Sequence, residues 1–308
     1  MFRYIVRRLL QMVLTFFGAT FLVFALMFAN QTDPIQALVG ERPISESQRI
    51  ALTERYHLDE GFFMQYWYYI KGVLTGDFGT SMTGRKIADM MADAWPVTIK
   101  LAIIAMIIAV AFSITVGVYS ALKRGGLFDN VSLVVTLVLL AMPIVVIAPL
   151  AQLIFGIQLG WFSPTATRDA TLWQLLLPAI VLACIVIAPE MRVTRTSVVE
   201  NLRADYVRTA RAKGLNRMRV IWVHVMRNSL IPVVTLIGVD LGTLLSGAIV
   251  TEHVFNIPGV GFNLARAIRT EDGPLVVGFV SILVILVLFI NLLVDLLYAA
   301  LDPRIRYE

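Results

Sequence analysis

Few residues of this chain are of types that do chemistry, and their spacing argues against most reactions. The three histidines, His57, His224 and His253, are scattered along the sequence, without the close spacing that gathers imidazoles around one metal. Glu252-His253 is followed by Val-Phe-Asn, so no H-E-x-x-H zinc motif forms. There is no G-x-S-x-G nucleophile elbow and no G-x-x-x-x-G-K-[ST] phosphate loop. Cys184 is the only cysteine, so an intrachain disulfide is excluded and redox chemistry lacks a second thiol. What remains is two acids inside apolar runs, Asp240 and Asp295. A charge at the centre of a bilayer costs at least ~2.5 kcal/mol, which makes such residues functional candidates. Asp240 sits in a small-residue stripe, Gly238-x-x-x-Gly242-x-x-x-Ser246, with Thr235 and Thr243 nearby; that pattern lets helices approach closely. Two roles stay open: a hydrogen bond across a tight helix contact, or a polar path lined by Asp240, Thr243 and Ser246. The contact is favoured, because a lone acid without a partnered base is a poor proton relay. Asp295 lies near the end of its run, where it can snorkel to the interface.

The other unusual feature is a basic island, RADYVRTARAKGLNRMRVIWVHVMRNSLIP, from Arg203 to Pro232. Val199, Leu202, Tyr206 and Ala210 recur with the period of one helix face, flanked by the pairs Glu200/Arg203 and Asp205/Arg208. Gly214 supplies a C-cap and Leu215-Asn216 a turn. A second helix follows, with Met218, Ile221, Trp222 and Val225 on its apolar side. Arg and Lys collect in cytoplasmic loops for topogenic reasons alone. That explains the charge but not two amphipathic helices joined at Ala210-x-x-x-Gly214, which fit a docking element.

The elements that must hold these residues are membrane helices. The chain has 308 residues, 58% hydrophobic and only 15% charged, against roughly half and a quarter in soluble domains. Apolar runs of about 20 residues, enough to cross a bilayer as a helix, recur near Leu9–Phe28, Val97–Leu122, Val131–Ile157, Leu172–Ala188, Leu230–Val250 and Leu275–Ala300. The runs are continuous, not alternating, which excludes a β-barrel. Arg3, Arg7 and Arg8, Lys123 and Arg124, the many arginines of 190–229, and Arg304 and Arg306 all fall on one side, predicting cytoplasmic termini. Acids including Asp33, Glu41, Glu54, Asp77 and Asp93 crowd the first outer region. The net charge of +5 thus reflects topology and gives no case for nucleic acid. The first run is too long for a signal peptide and has no A-x-A-like cleavage site, so it stays as an anchor.

Four regions result: 1–29, the N-terminus and first span; 30–96, an outer helical region; 97–300, a core of five spans with the cytoplasmic segment 190–229; and 301–308, a cytoplasmic tail. In the outer region Ser45-x-x-Gln48 has the form of a capping box opening a helix toward Tyr56. Phe62–Thr75 is an aromatic amphipathic stretch, and Arg85–Trp95 forms a third helix. A helical cap on the membrane surface, Trp and Tyr at headgroup level, is favoured over a docking surface for a delivering protein.

At the island the chain resembles a known family. Arg208-Thr209-Ala210-x-x-x-Gly214 matches the E-A-A-x-x-x-G coupling motif of permease subunits of ATP-binding-cassette importers. DYVRTARAKG, HVMRNSLIP, GAIVTEHVFNIPGVG and the closing DLLYAALDPRIRY are similar to the peptide/nickel branch, and within it to the B-type subunit of dipeptide and oligopeptide systems. The likeness covers essentially the whole chain, including the GDFGTS element after the first span. Two departures are visible. Arg208 stands where the family has Glu, so that acid's role does not carry over. The usual I-x-L-P ending is missing at its spacing, and the proline comes later, at Pro232.

The resemblance implies an all-α integral membrane protein with six transmembrane helices, an importer-permease (MetI-like) bundle with a cytoplasmic coupling-helix hairpin. Such a chain, in a bacterial inner membrane, catalyses no bond change. It pairs with a second homologous permease, two ATPase subunits that carry ATP and Mg, and an extracytoplasmic substrate-binding protein. The coupling residues would be Asp205, Arg208, Thr209, Ala210, Ala212, Lys213, Gly214 and Leu215. Di- and oligopeptides are the implied substrates, with nickel or another small solute as the alternative. A self-sufficient secondary transporter needs midplane ion-coupling residues and often inverted repeats, and the sequence offers only Asp240.

Overall fold

The computed structural model describes residues 2–28, 35, 45–57, 59–81, 83–167, 169–270 and 272–301. The expectations on Asp33, Glu41, Arg304, Arg306, the tail beyond 301 and the side chains of Arg3 and Asp295 lie outside what is described. All regular structure among the described residues is helical, apart from one isolated bridge between Thr80 and Lys86. In chain order the helices are α1 (Phe2–Phe28), α2 (Glu46–Tyr56), α3 (Phe62–Thr75), α4 (Ile87–Leu122) and α5 (Leu127–Ala141). There follow α6 (Ile144–Gln158), α7 (Leu172–Leu202), α8 (Asp205–Ala212), α9 (Arg217–Val254), α10 (Val260–Arg269) and α11 (Gly273–Leu301). α6 and α9 each contain a π-helical stretch, Gln152–Gln158 and Val220–Val225.

Among the described residues five helices are long and apolar enough to cross a membrane, and α5 with α6 makes a sixth if the bent pair counts as one. The run near Val131–Ile157 is therefore not a straight span: it bends by 106°. The break is at Met142, which is extended (φ −94°, ψ 120°) because the following Pro143 disfavours helical geometry in its predecessor. Elsewhere prolines lie within continuous helices. Pro96 lies inside α4, so Arg85–Trp95 is not a separate helix; its residues from Ile87 on are the first turns of that span. Pro189 lies inside α7, which continues from Leu172 to Leu202 and not merely to Ala188.

The chain divides into two compact units, Met1–Thr98 with Pro258–Glu308, and Ile99–Ile257. In the first, α1 packs along α11, and α3 lies against α1. The aromatic face of α3 does this work: Phe62, Tyr66 and Tyr69 form ring contacts with Phe21 and Phe24. Such pairs contribute roughly 0.5–1.5 kcal/mol beyond the area they bury. The Tyr66 hydroxyl donates to the Phe17 carbonyl at 3.0 Å, and Tyr69 hydrogen-bonds Ser281. Burial pushes the Tyr69 hydroxyl well above the ordinary tyrosine range. Ser45 and Gln48 form the capping box, with Gln48 N donating to Ser45 Oγ at 3.3 Å and Ser45 N to Gln48 Oε1 at 3.0 Å. α2 ends at Tyr56, as the sequence indicates.

In the second unit the main seam joins α7 to α9, with α5 and α6 against α7. Glycines set its closest approaches: a Cβ at Gly117 of α4 would lie 2.8 Å from Thr194 Cβ, and one at Gly247 of α9 would lie 2.5 Å from Ile185 Cδ1. Thr171 and Gln174 form a second capping box at the start of α7. Gln152 ties the bent α6 in place, donating to the carbonyls of Pro164 (2.7 Å) and Val254 (2.9 Å).

Candidate functional site: the coupling segment

The basic island is the exit of α7, the short helix α8, a tight turn and the first turns of α9, all within the second unit. α7 stops at Leu202, and Ala204 is extended (φ −67°, ψ 149°) as the N-cap of α8. This break corrects the expected single stripe. Val199 and Leu202 belong to α7, and the residues spent in the turn shift the helical phase. Val207 and Ala210 now face inward (0% and 5% exposed), while Tyr206 is turned out, its hydroxyl bonded to Asn201 Oδ1.

α8 ends in a Schellman motif. Gly214 N donates to the Arg211 carbonyl at 2.9 Å, and Leu215 N to the Ala210 carbonyl at 3.3 Å. Gly214 adopts φ +74°, the left-handed conformation that glycine reaches without strain. The C-cap read from the sequence is therefore in place. Asn216 then caps the next helix, its Oδ1 accepting from Met218 N at 3.1 Å. That helix is not a separate second arm: it runs through the π-helical stretch into α9. The extra residue of the π geometry re-aims its faces, so Val220, Ile221 and Val225 are buried, whereas Met218 and Trp222 stand exposed.

The inner face joins one apolar cluster: Val118 and Ala121 of α4, Val198 of α7, Val207 and Ala210 of α8, and Val220, Ile221, Val225 and Met226 of α9, with Leu215 packed against it. Each fully buried valine contributes on the order of 1.5–3 kcal/mol. α8 is thus fixed to the ends of three long helices. A cleft of about 470 Å³ opens beside it, lined by Leu122, Leu202, Arg211, Leu215, Arg217, Val220 and Ile221. Of the candidate coupling residues, Ala210 is buried and Leu215 half-buried; Asp205, Arg208, Thr209, Ala212, Lys213 and Gly214 are exposed. Arg208 and Asp205 approach to 3.8 Å with side chains 78% and 98% exposed, so their pairing adds next to nothing to stability. These residues are free to meet another surface.

Two further groups brace the seam. Arg195 of α7 makes a bidentate pair with Asp129 of α5, Nε to Oδ1 at 2.5 Å and Nη2 to Oδ2 at 2.7 Å, and Gly125 N donates to Oδ2 at 2.8 Å. The sequence gives no sign of this pair, since 66 residues separate its members. Asp240 lies on the buried face of α9, turned toward Glu190 of α7. Thr243 and Ser246 lie on the exposed face of the same helix, so the three are not gathered into one lining. Glu190 lies beyond the apolar run bounded at Ala188, so nothing in the sequence places it inside a span.

The fold defines a class: a membrane protein of several long apolar helices, with a short basic helix packed against three of them. The family of binding-protein-dependent transport system inner membrane components matches residues 113–307, and the N-terminal region of such membrane components matches residues 1–102. The chain belongs to that family, and is a multi-pass inner-membrane component of a transport system with other subunits. Among curated relatives, the dipeptide transport system permease protein DppB of Escherichia coli (strain K12) is 39% identical over 340 residues, covering 100% of both chains. The di/tripeptide transport system permease protein DppB of Pseudomonas aeruginosa (strain UCBPP-PA14) is 38% identical over 336 residues. The glutathione transport system permease protein GsiC of Escherichia coli (strain K12) is 37% identical over 311 residues. Each of the latter two also covers 100% of both chains.

Proposed function

We propose that the chain is the permease subunit of an ATP-driven importer for dipeptides and oligopeptides, forming half of the path and coupling it to ATPase subunits. The carrying observation is the construction of α8: apolar residues lock its inner face to α4, α7 and α9, while its outer face and the Gly214 turn stay in solvent. A push on such an element moves three long helices together. The substrate reading is supported by the names of the full-length relatives, which carry dipeptides, di/tripeptides and glutathione, all small peptides.

In this reading the basic end of the second unit faces the cytoplasm, as do both termini. Two ATPase subunits, holding ATP and Mg, grip α8 here and the equivalent element of a second permease. Closure of the ATPase pair on ATP draws the elements together and switches the access of the path. A binding protein outside delivers the peptide. The permease catalyses no bond change; it converts closure into helix movement. Arg208, in the place of the family's acid, meets its ATPase as a cation, so the complementary position there is acidic or polar.

Gentle purification of the tagged chain from its native membrane tests this. The expected companions are a second permease and two ATPases, with a binding protein whose bound ligand is a peptide. Peptide uptake driven by an ion gradient in liposomes holding this chain alone would contradict the proposal.

A further inference from the structure

The mechanism above leaves unused a buried pair of acids with no counter-charge. Glu190 on α7 is 0% exposed, and neither of its carboxyl oxygens has a hydrogen-bond partner. It faces Asp240 on α9, which is 6% exposed and whose Oδ2 is equally unpartnered. Ser113 of α4 lies beside Glu190, but its hydroxyl donates to the Ile187 carbonyl at 3.2 Å. That leaves Ser113 able to accept a hydrogen bond from this site, not to neutralise it.

Among the described residues no basic group on the surrounding helices offsets the two acids. Between Lys100 and Tyr119, α4 carries no titratable side chain, and α6 carries none at all. Lys100 is engaged by the Ala170 carbonyl at 2.9 Å. The one titratable group of α5 is Asp129, which holds Arg195 of α7. On α7, Arg192 lies roughly 200° around the axis from Glu190, and Cys184 is neutral as a thiol. On α9, Arg227 and His253 are each about 20 Å along the axis from Asp240. Further along, the seam is tight, with Gly247 against Ile185 and Leu182. Two ionised carboxylates in contact under these conditions repel without compensation.

We infer that Glu190 and Asp240 form a proton-binding site, in which one carboxyl group donates its O–H to the carboxylate oxygen of the other across the α7–α9 seam. The shared proton supplies the donor that the unpartnered oxygens lack, and it ties the two helices together. Water reaching the pair takes the proton from it, and exclusion of water returns one, so hydration of this seam is proton-linked, whichever solute is carried.

Infrared spectroscopy of the assembled transporter in membranes, comparing wild type with Glu190→Gln and Asp240→Asn, tests the assignment. Each variant keeps the shape of its side chain and offers an amide donor to the remaining carboxylate, so two independent routes to a folded variant exist. The expected result is a carbonyl stretch of a protonated carboxyl at neutral pH in the wild type that either substitution removes. Turnover of the wild type should also fall as the medium becomes alkaline, with a flatter pH profile in Glu190→Gln. A band that survives both substitutions would overturn the proposal. So would a wild type without the band, whose stability depends on sodium or potassium, because a metal cation would then occupy the pair. The infrared measurement does not depend on what the protein transports.

Discussion

Gly214→Arg is expected to abolish ATP-dependent uptake while the chain still inserts and accumulates in the membrane. Gly214 sits at φ +74° in the Schellman turn that closes α8. A Cβ placed there meets nothing within 4 Å, so no neighbour inside the chain is displaced. The intramolecular cost is the left-handed backbone of an L-residue, about 1–2 kcal/mol, too little to unfold a bundle of this size. The larger effect is outside the chain, because an arginine at the exposed bend occupies the space a docked ATPase needs. Gly214→Ala separates the two effects: it carries the same backbone cost with almost no bulk, and should retain most of the uptake. Uptake, membrane abundance and co-purified ATPase, measured together on both variants, decide the matter. Equal loss in both would move the blame to the backbone of the turn.

Asp129→Ala is expected to give the largest loss of stability of any single change discussed, about 3–5 kcal/mol. Asp129 is 1% exposed and accepts three hydrogen bonds, two from Arg195 and one from Gly125 N. Removing it strands the Arg195 guanidinium, only 19% exposed at the side chain, and frees the turn before α5. Most of the penalty comes from the arginine left behind, so Asp129→Leu combined with Arg195→Met should recover much of it. Thermal unfolding of the purified chain in detergent, followed by intrinsic fluorescence, reads both. A double variant no better than Asp129→Ala would show that the pair does more than satisfy itself.

The parts legible in the sequence are those governed by local rules. Apolar length identified the spans, Ser45-x-x-Gln48 a capping box, and Gly214 the end of α8. What was not legible depends on residues far apart or on phase. The runs bounded at Val97 and at Ala188 belong to helices that continue through Pro96 and Pro189, where neighbouring elements can satisfy the backbone group each proline frees. Glu190 falls just beyond the second bound, and so the acid that faces Asp240 does not read as part of a span. The turn at Arg203-Ala204 rotated α8 so that Val207 took the buried position expected of Tyr206, and the π-helical stretch turned Met218 and Trp222 outward. Both shifts leave aromatic and apolar side chains on the outside of the coupling segment, which suits a surface that meets a partner.

The central claim is that the outer face of α8 is where ATPase subunits take hold. Cys184 is the only cysteine of the chain, so replacing it with serine and placing a single cysteine at the exposed Thr209 gives one addressable position. Cross-linking from Thr209→Cys in the assembled transporter should yield an adduct with an ATPase subunit, with a yield that changes on addition of ATP. A cysteine at Val223, exposed on α9 beyond the turn, should yield none. Failure of Thr209→Cys to reach any ATPase in a complex that still transports would contradict the account.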